Sequence, residues 1–427
     1  MNGEDYIDKN VTLKLRFIMA TLTMGKWAHA SSAATGLKRN RIESIDLLRG
    51  TVMIIMALDH VRDFFHRDVF FYEPTELDHT NVFLFFTRWI THYCAPVFVF
   101  LAGISGYLYG TKKSKRELAF YLFTRGLWLI VAELIIISFV STFNPAYRMF
   151  SLQIMWSTGF SMIALSAIVY MKRPFILLMA VLLIAGHNLL DTVHVPGNGF
   201  SAMFWCFLHE PRYFYFGNLT VSIQYPIIPW IGIITLGYYF GGLYNSMYDP
   251  EKRKKTLIYV GSAMIILFFI LRIFNIYGDA ALWSTQKNAA FTLLSFLKVT
   301  KYPPSLLYVL VTLGPAMIFL ALTEKPLNKF TEKITVYGRV PFFYYVVHLF
   351  LIHLSALIAA AITGYNWSFM ILTTKVYRAP DLKDYGFNLP IVYLVWASLV
   401  LLLYPCCKWF DNYKRKNQLN RPWLTYL

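Results

Sequence analysis

Residues 56–66 read MALDHVRDFFH, and they directly follow an apolar run, GTVMII, at 50–55. Asp59, His60, Arg62, Asp63 and His66 therefore crowd the end of what otherwise reads as a membrane helix. An ionisable group at that depth is expensive, so its presence points to function as well as to fold. The surrounding composition supports the membrane reading. The 427-residue chain is 57% hydrophobic and only 15% charged, against roughly 25% charged for a soluble domain. Ten apolar segments approach the ~20 residues needed to cross the hydrocarbon core. They lie near 46–66, 82–109, 117–141, 150–171, 174–190, 226–246, 256–275, 304–323, 335–361 and 389–406. The expected fold is an all-α polytopic membrane protein of about ten transmembrane helices, with long irregular connections at 191–225, 276–303 and 362–388.

The net charge of +17 could suggest nucleic acid. Its distribution argues otherwise. Alternating the termini and loops places 25 of the 40 Lys and Arg residues on the side of the N-terminal segment and nine on the other. The positive-inside rule then puts both termini in the cytoplasm. Residues 1–40 read as a cytoplasmic extension; LRFIMATLTMG at 15–25 is too interrupted by threonine for a signal core. Residues 41–406 form the transmembrane domain and 407–427 a basic cytoplasmic tail. Cys94, Cys206, Cys406 and Cys407 have neither a disulfide framework nor paired metal spacing. No P-loop, dinucleotide glycine motif or zinc spacing appears, which disfavours nucleotide hydrolysis and metal chemistry.

On the first span, Asp59 lies about 20 Å from the cytoplasmic end at 1.5 Å per residue. Asp59, Arg62 and Asp63 share a helix face, and His60 points about a quarter-turn away. The second span carries TRWITHYCAPVFVFLAGISGYLYG at 87–110, with Arg88 and His92 on one face and Gly103, Gly106 and Gly110 placed for close packing. The ninth carries VYGRVPFFYYVVHLFLIHL at 336–354; His348 is level with Asp59, whereas His353 reads as a histidine satisfied by a backbone carbonyl. Arg125 and Glu133, eight apart, share a face of the third span. The loop CFLHEPRYFYFGN at 206–218 offers His209 and Arg212 among aromatic rings suited to stacking on sugars; an interfacial aromatic belt is the plainer reading.

The runs RIESIDLLRGTVMIIMALDHVRDFF and TRWITHYCAPVFVFLAG resemble the opening of bacterial membrane proteins in the heparan-alpha-glucosaminide N-acetyltransferase catalytic-domain family. SLQIMWSTGFSMI, IQYPIIPWIGIITLGYYFG, KYPPSLLYVLVTLGP and YGRVPFFYYVVHLFLIH extend the similarity over about 41–406. The resemblance implies transfer of an acetyl group from cytosolic acetyl-CoA, or another acyl-CoA, to a carbohydrate or glycolipid acceptor across the bilayer. The family's proposed active residues are an asparagine on the first span and a histidine in the following loop. The asparagine position falls on Asp59. No histidine stands at the matching loop spacing, which His66 and His79 flank, so the imidazole role passes to His60, His92 or His348. Acyl transfer from a thioester suits such residues. Imidazole can serve as general base or as acyl-carrying nucleophile, a carboxylate orients it, and cations hold the oxyanion. Arg49, Arg62, Arg88, Arg125 and Arg339 offer forked donors for CoA phosphates. The alternative is a proton-coupled small-molecule transporter, although no internal repeat relates the halves. The expected location is the bacterial inner membrane; assembly as a homodimer is left open.

Overall fold

The computed structural model describes residues 42–426, so the expected N-terminal extension lies outside the described residues. Each of the ten apolar segments holds a helix, and among the described residues seven helices are long and apolar enough to cross a membrane. In chain order the helices are α1 (Glu43–Phe65), α2 (Val82–Ile90), α3 (Cys94–Gly110), α4 (Lys115–Ala132) and α5 (Ser138–Thr142). After them come α6 (Ile154–Ile168), α7 (Arg173–Gly186), α8 (Phe200–Leu208), α9 (Ile227–Gly241) and α10 (Pro250–Phe274). The last five are α11 (Ala289–Leu297), α12 (Leu306–Leu322), α13 (Lys329–Arg339), α14 (Pro341–Ile362) and α15 (Leu389–Asn417). A 3-10 turn, Thr91–Tyr93, joins α2 to α3, and a π-turn, Glu133–Ile137, joins α4 to α5, so each pair reads as one span.

Three segments depart from the seven for different reasons. Helix α1 carries Glu43, Asp46, Arg49, Asp59, Arg62 and Asp63, yet it sits inside the bundle, where protein partners rather than lipid meet its charges. Helices α6 and α12 are apolar but have only 15 and 17 residues. The lipid-facing surface is instead built by α4, α10 and α15, whose exposed apolar residues include Phe120, Ile273, Leu401 and Leu402.

The boundaries correct the sequence reading at several points. The segment at 335–361 breaks at Val340 because Pro341 starts a fresh helix, α14. The last helix continues past 406 to Asn417. The expectation of an all-α chain is corrected by a small three-stranded sheet, ordered β1–β3–β2. Strand β1 (Met149–Leu152) runs parallel to β3 (Leu219–Ile223), which pairs antiparallel with β2 (Arg212–Phe216). Met149–Leu152 is thus a strand where the fourth span was expected to begin, and the 191–225 connection is an ordered α8–β2–β3 unit. Gly217, at φ 56°, makes the hairpin turn.

Close backbone approach explains the glycines of α3. A Cβ on Gly103 would lie 2.1 Å from the Ile234 carbonyl oxygen, and one on Gly237 would lie 2.0 Å from that of Phe100. Helices α3 and α9 therefore meet backbone to backbone at that crossing. This anchors α3, and with it the Thr91–Tyr93 turn, against the bundle.

Candidate active site

A cavity of about 500 Å³ opens at one end of the bundle. Its walls come from the second half of α1, the sheet, the 301–302 turn and the 374–378 loop. All the connecting segments that line it are ones the sequence reading assigns to the side poor in Lys and Arg.

Asp59 sits on the inner wall, 9% exposed. The Arg88 guanidinium donates to both of its oxygens, at 2.8 and 2.9 Å, and the Thr91 hydroxyl donates at 2.7 Å. Arg62 forms an ion pair with it at 2.8 Å, and the Lys301 ammonium lies 3.8 Å away. Arg62 also reaches Asp63 at 2.6 Å. The face-sharing Asp59, Arg62 and Asp63 of the sequence reading are therefore one ionic network with Arg88. Arg62 is only 1% exposed; a cation so enclosed requires such partners.

His60, next along α1, lines the same cavity. Its Nδ1 lies 2.7 Å from Nε2 of His348 on α14. The other nitrogen of His348, Nδ1, lies 2.7 Å from the Tyr344 carbonyl oxygen. A carbonyl only accepts, so Nδ1 of His348 carries the proton. In the neutral pair its Nε2 then accepts from Nδ1–H of His60. This chain leaves Nε2 of His60 as a lone-pair nitrogen available to the cavity.

The two residues stand where two spaces meet. A smaller pocket of about 40 Å³, bordered by Met53, Met56, Cys94 and Phe98, shares Asp59, His60, Lys301 and Tyr345 with the large cavity. The small space is mainly apolar and runs toward the N-terminal half of α1. Tyr72, Tyr213 and Tyr377 line the large one.

The remaining sequence candidates separate. His92 is buried beside Tyr308, ring centroids 5.4 Å apart, and lines neither space. His353 lies between the carbonyls of Val140 and Met370, at 3.0 and 2.7 Å, which is the structural role expected of it. Of the five arginines, Arg62 and Arg88 border the cavity. Arg49 and Arg339 lie at the opposite end of α1 around Asp46, at 3.2 and 3.7 Å. Arg125 stacks on Tyr121 and Tyr426. Its expected face partner, Glu133, instead accepts from the backbone N–H groups of Met155 and Trp156 at the start of α6. Arg212 lines the cavity and pairs with Glu210 at 2.7 Å, while His209 turns away to Asp191 at 3.0 Å. His66 is buried and accepts from the Asp68 N–H, and His79 stacks on Tyr72.

Sequence reasoning missed Lys301 and Lys375. Lys301 lies inside the KYPPS run but in a connection rather than a span, so no depth argument pointed to it. Lys375 belongs to the 362–388 loop, and its half-buried place on the cavity wall pushes its ammonium down to about 8, against the opposing pull of Glu133 and Asp63.

No curated protein matches the chain. Residues 41–273 match the family described as heparan-alpha-glucosaminide N-acetyltransferase, catalytic. That match takes in α1 through almost all of α10, and so Asp59, His60, Arg62, Arg88 and the whole sheet. With its apolar helices, this chain is an integral membrane protein and belongs to the heparan-alpha-glucosaminide N-acetyltransferase catalytic family, a family of transferases.

Proposed function

We propose that the protein moves an acetyl group from acetyl-CoA to an amine or hydroxyl of a sugar or similar acceptor held in the large cavity. The observation that carries this reading is the His60–His348 pair, which leaves one imidazole nitrogen of His60 as a base at the meeting point of the two spaces. The acceptor's nucleophilic atom attacks the thioester carbonyl carbon while its proton passes to Nε2 of His60. The C–S bond then breaks, and the same proton goes to the departing CoA sulfur. Lys301, which borders both spaces, holds the developing oxyanion. Asp59, fixed by Arg62, Arg88 and Thr91, anchors Lys301 and stabilises the imidazolium formed next to it. The small apolar pocket has room for a methyl group, which favours acetyl over long acyl chains. The tyrosines around the large cavity favour a carbohydrate, and its arginines and lysines an acidic acceptor. By the Lys/Arg distribution the cavity opens on the extracytoplasmic side of a bacterial inner membrane.

The test is incubation of purified protein in detergent with isotope-labelled acetyl-CoA and a panel of amino sugars and glycolipids, followed by mass spectrometry. Labelled acceptor and free CoA are expected, with turnover falling about 10²–10⁴-fold in His60→Ala, as for loss of a general base. Absence of CoA release, together with no thermal shift on adding acyl-CoA, would defeat the proposal. Proton-driven uptake of a solute into proteoliposomes without CoA would support the transporter alternative.

A further inference from the structure

A second cluster of titratable groups lies away from Asp59, at the same end of the bundle. His187 opens the 3-10 turn that ends α7, Asp191 follows that turn, and His209 caps the C-terminus of α8. One ligand atom from each of the three can be chosen so that all lie within 4.8 Å of one another. The two imidazoles are 2% and 3% exposed, and their rings meet edge to face with centroids 5.4 Å apart.

The hydrogen bonding around the cluster is incomplete. Nε2 of His209 lies 3.0 Å from Oδ1 of Asp191, but its Nδ1 has no partner. Neither ring nitrogen of His187 has a partner of hydrogen-bonding geometry, the Pro304 carbonyl being its polar neighbour. Buried imidazole nitrogens are almost always satisfied, so a ring with one edge against the Pro304 carbonyl and the other open calls for an explanation. Asp191, in contrast, is already oriented: Asn188 donates to its Oδ2 at 2.8 Å, the kind of outer contact that fixes a metal-binding carboxylate. A cavity of about 140 Å³, bordered by Asp191, His209 and Asn188, adjoins the cluster and gives room for a water.

We infer that His187, Asp191 and His209 bind one divalent transition-metal ion of the zinc type, with water from the small cavity as fourth ligand. Two imidazoles and one carboxylate suit zinc and its neighbours over magnesium or calcium, which prefer all-oxygen sets. The ion would tie the end of α7 to the end of α8. Asn188 also accepts from the Leu306 N–H at 2.9 Å, and Thr300, Tyr302 and Ser305 border the small cavity. The site therefore braces the segment carrying Lys301 and, through β2, Arg212. Its role is structural and independent of the proposed acetyl transfer. The residues escape spacing rules because seventeen positions, a helix among them, separate Asp191 from His209.

The test uses untagged full-length protein in detergent, stripped with a chelator and titrated with Co²⁺ and then Zn²⁺. One equivalent of Co²⁺ with the visible d–d bands of a four-coordinate site is expected, displaced by Zn²⁺, and Zn²⁺ should raise the melting temperature. His187→Gln, Asp191→Asn and His209→Gln should each weaken binding by at least ~100-fold, since even outer-shell contacts are worth 10–100-fold. His194→Gln, whose ring is largely exposed on the rim, should leave it unchanged. Folded wild-type protein that takes up no Co²⁺ or Zn²⁺ would overturn the inference, as would binding that survives all three ligand substitutions. Both readouts are metal binding, so neither depends on whether acetyl transfer occurs.

Discussion

At the scale of single residues, Asp59 and His60 adjoin in sequence but should fail differently. Asp59 balances three cations in a buried setting. Removing one partner of a buried ionic network costs about 3–5 kcal/mol, because the remaining charges lose their compensation. Asp59→Asn should therefore lower the melting temperature clearly as well as the activity. His60 gives one hydrogen bond to His348 and otherwise faces the cavity, so His60→Ala should lose turnover with little loss of stability. His348→Ala should have a smaller effect, since it removes only the group that fixes the tautomer of His60. Thermal melts run beside acetyl-transfer assays separate the two cases; equal stability loss in both variants would place His60 in the structural network. Lys375 adds a pH dependence. Its ammonium titrates near 8, so its charge is present below that pH and lost above it. If it helps hold an anionic substrate, KM should rise as pH passes through about 8, and Lys375→Met should flatten that rise. The same shift acts on stability. Between pH 8 and the unfolded value near 10.4 the unfolded chain binds more protons, so this group's contribution to stability grows with pH there.

At the scale of elements, the sequence located the long helices well because they carry the apolar runs that lipid or a bundle interior demands, whereas the nine-residue helices α8 and α11 lie in stretches expected to be irregular. The glycines of α3 show both what the pattern revealed and what it did not. Gly103, Gly106 and Gly110 were recognisable as packing positions, but not their partners or their ranking. Gly103 faces a carbonyl oxygen that cannot move, whereas the nearest atom to a Cβ on Gly106 is a Leu122 methyl at 3.3 Å, which can rotate away. Gly103→Ala should thus cost more than the roughly 1–3 kcal/mol of ordinary overpacking, and Gly106→Ala less. Comparing the folded fraction of the two variants after detergent extraction checks this; equal yields would mean that α3 and α9 can separate without penalty. The strands were hidden for a different reason. Met149–Leu152 is a short apolar run, which periodicity cannot distinguish from the start of a helix. Its pairing with β3 depends on residues some seventy positions later. The His60–His348 contact was half visible. Equal depth on two helices suggested proximity, but only the packing of α14 against α1 turns the rings toward each other. Depth alone would equally have admitted His92, which faces Tyr308.

At the scale of the whole molecule, the charge distribution and the cavity give independent accounts of the same asymmetry. The Lys/Arg count sorts connections by sequence alone, whereas the cavity gathers them in space. Residues from the stretches 69–76, 141–153, 211–225, 301–302 and 374–378, which the sequence reading assigns to the poorer side, all border one opening. That agreement is what the ten-segment reading predicts, in which α1 and the two short helices α6 and α12 pass between the same two ends as the longer spans. If any of the three turned back, a loop from the richer side would reach the cavity wall. Among the described residues, seven helices meet the length and apolarity of an independent span. The interior position of α1 explains how so charged a segment can lie within the bundle, since its ions pair with protein. The positive-inside rule predicts a membrane orientation that can be measured. A reporter placed in the hairpin at Gly217–Asn218 should be extracytoplasmic, and one beside Lys252, in the first turn of α10, cytoplasmic. The hairpin turn is exposed and open around Gly217, so an insertion there need not disturb the cavity. Opposite placement of the two reporters supports a donor and an acceptor meeting at His60 from different sides of the bilayer. A cytoplasmic reporter at Asn218 would put the whole cavity in the cytosol, and acetyl transfer, if it occurred, would no longer cross the membrane.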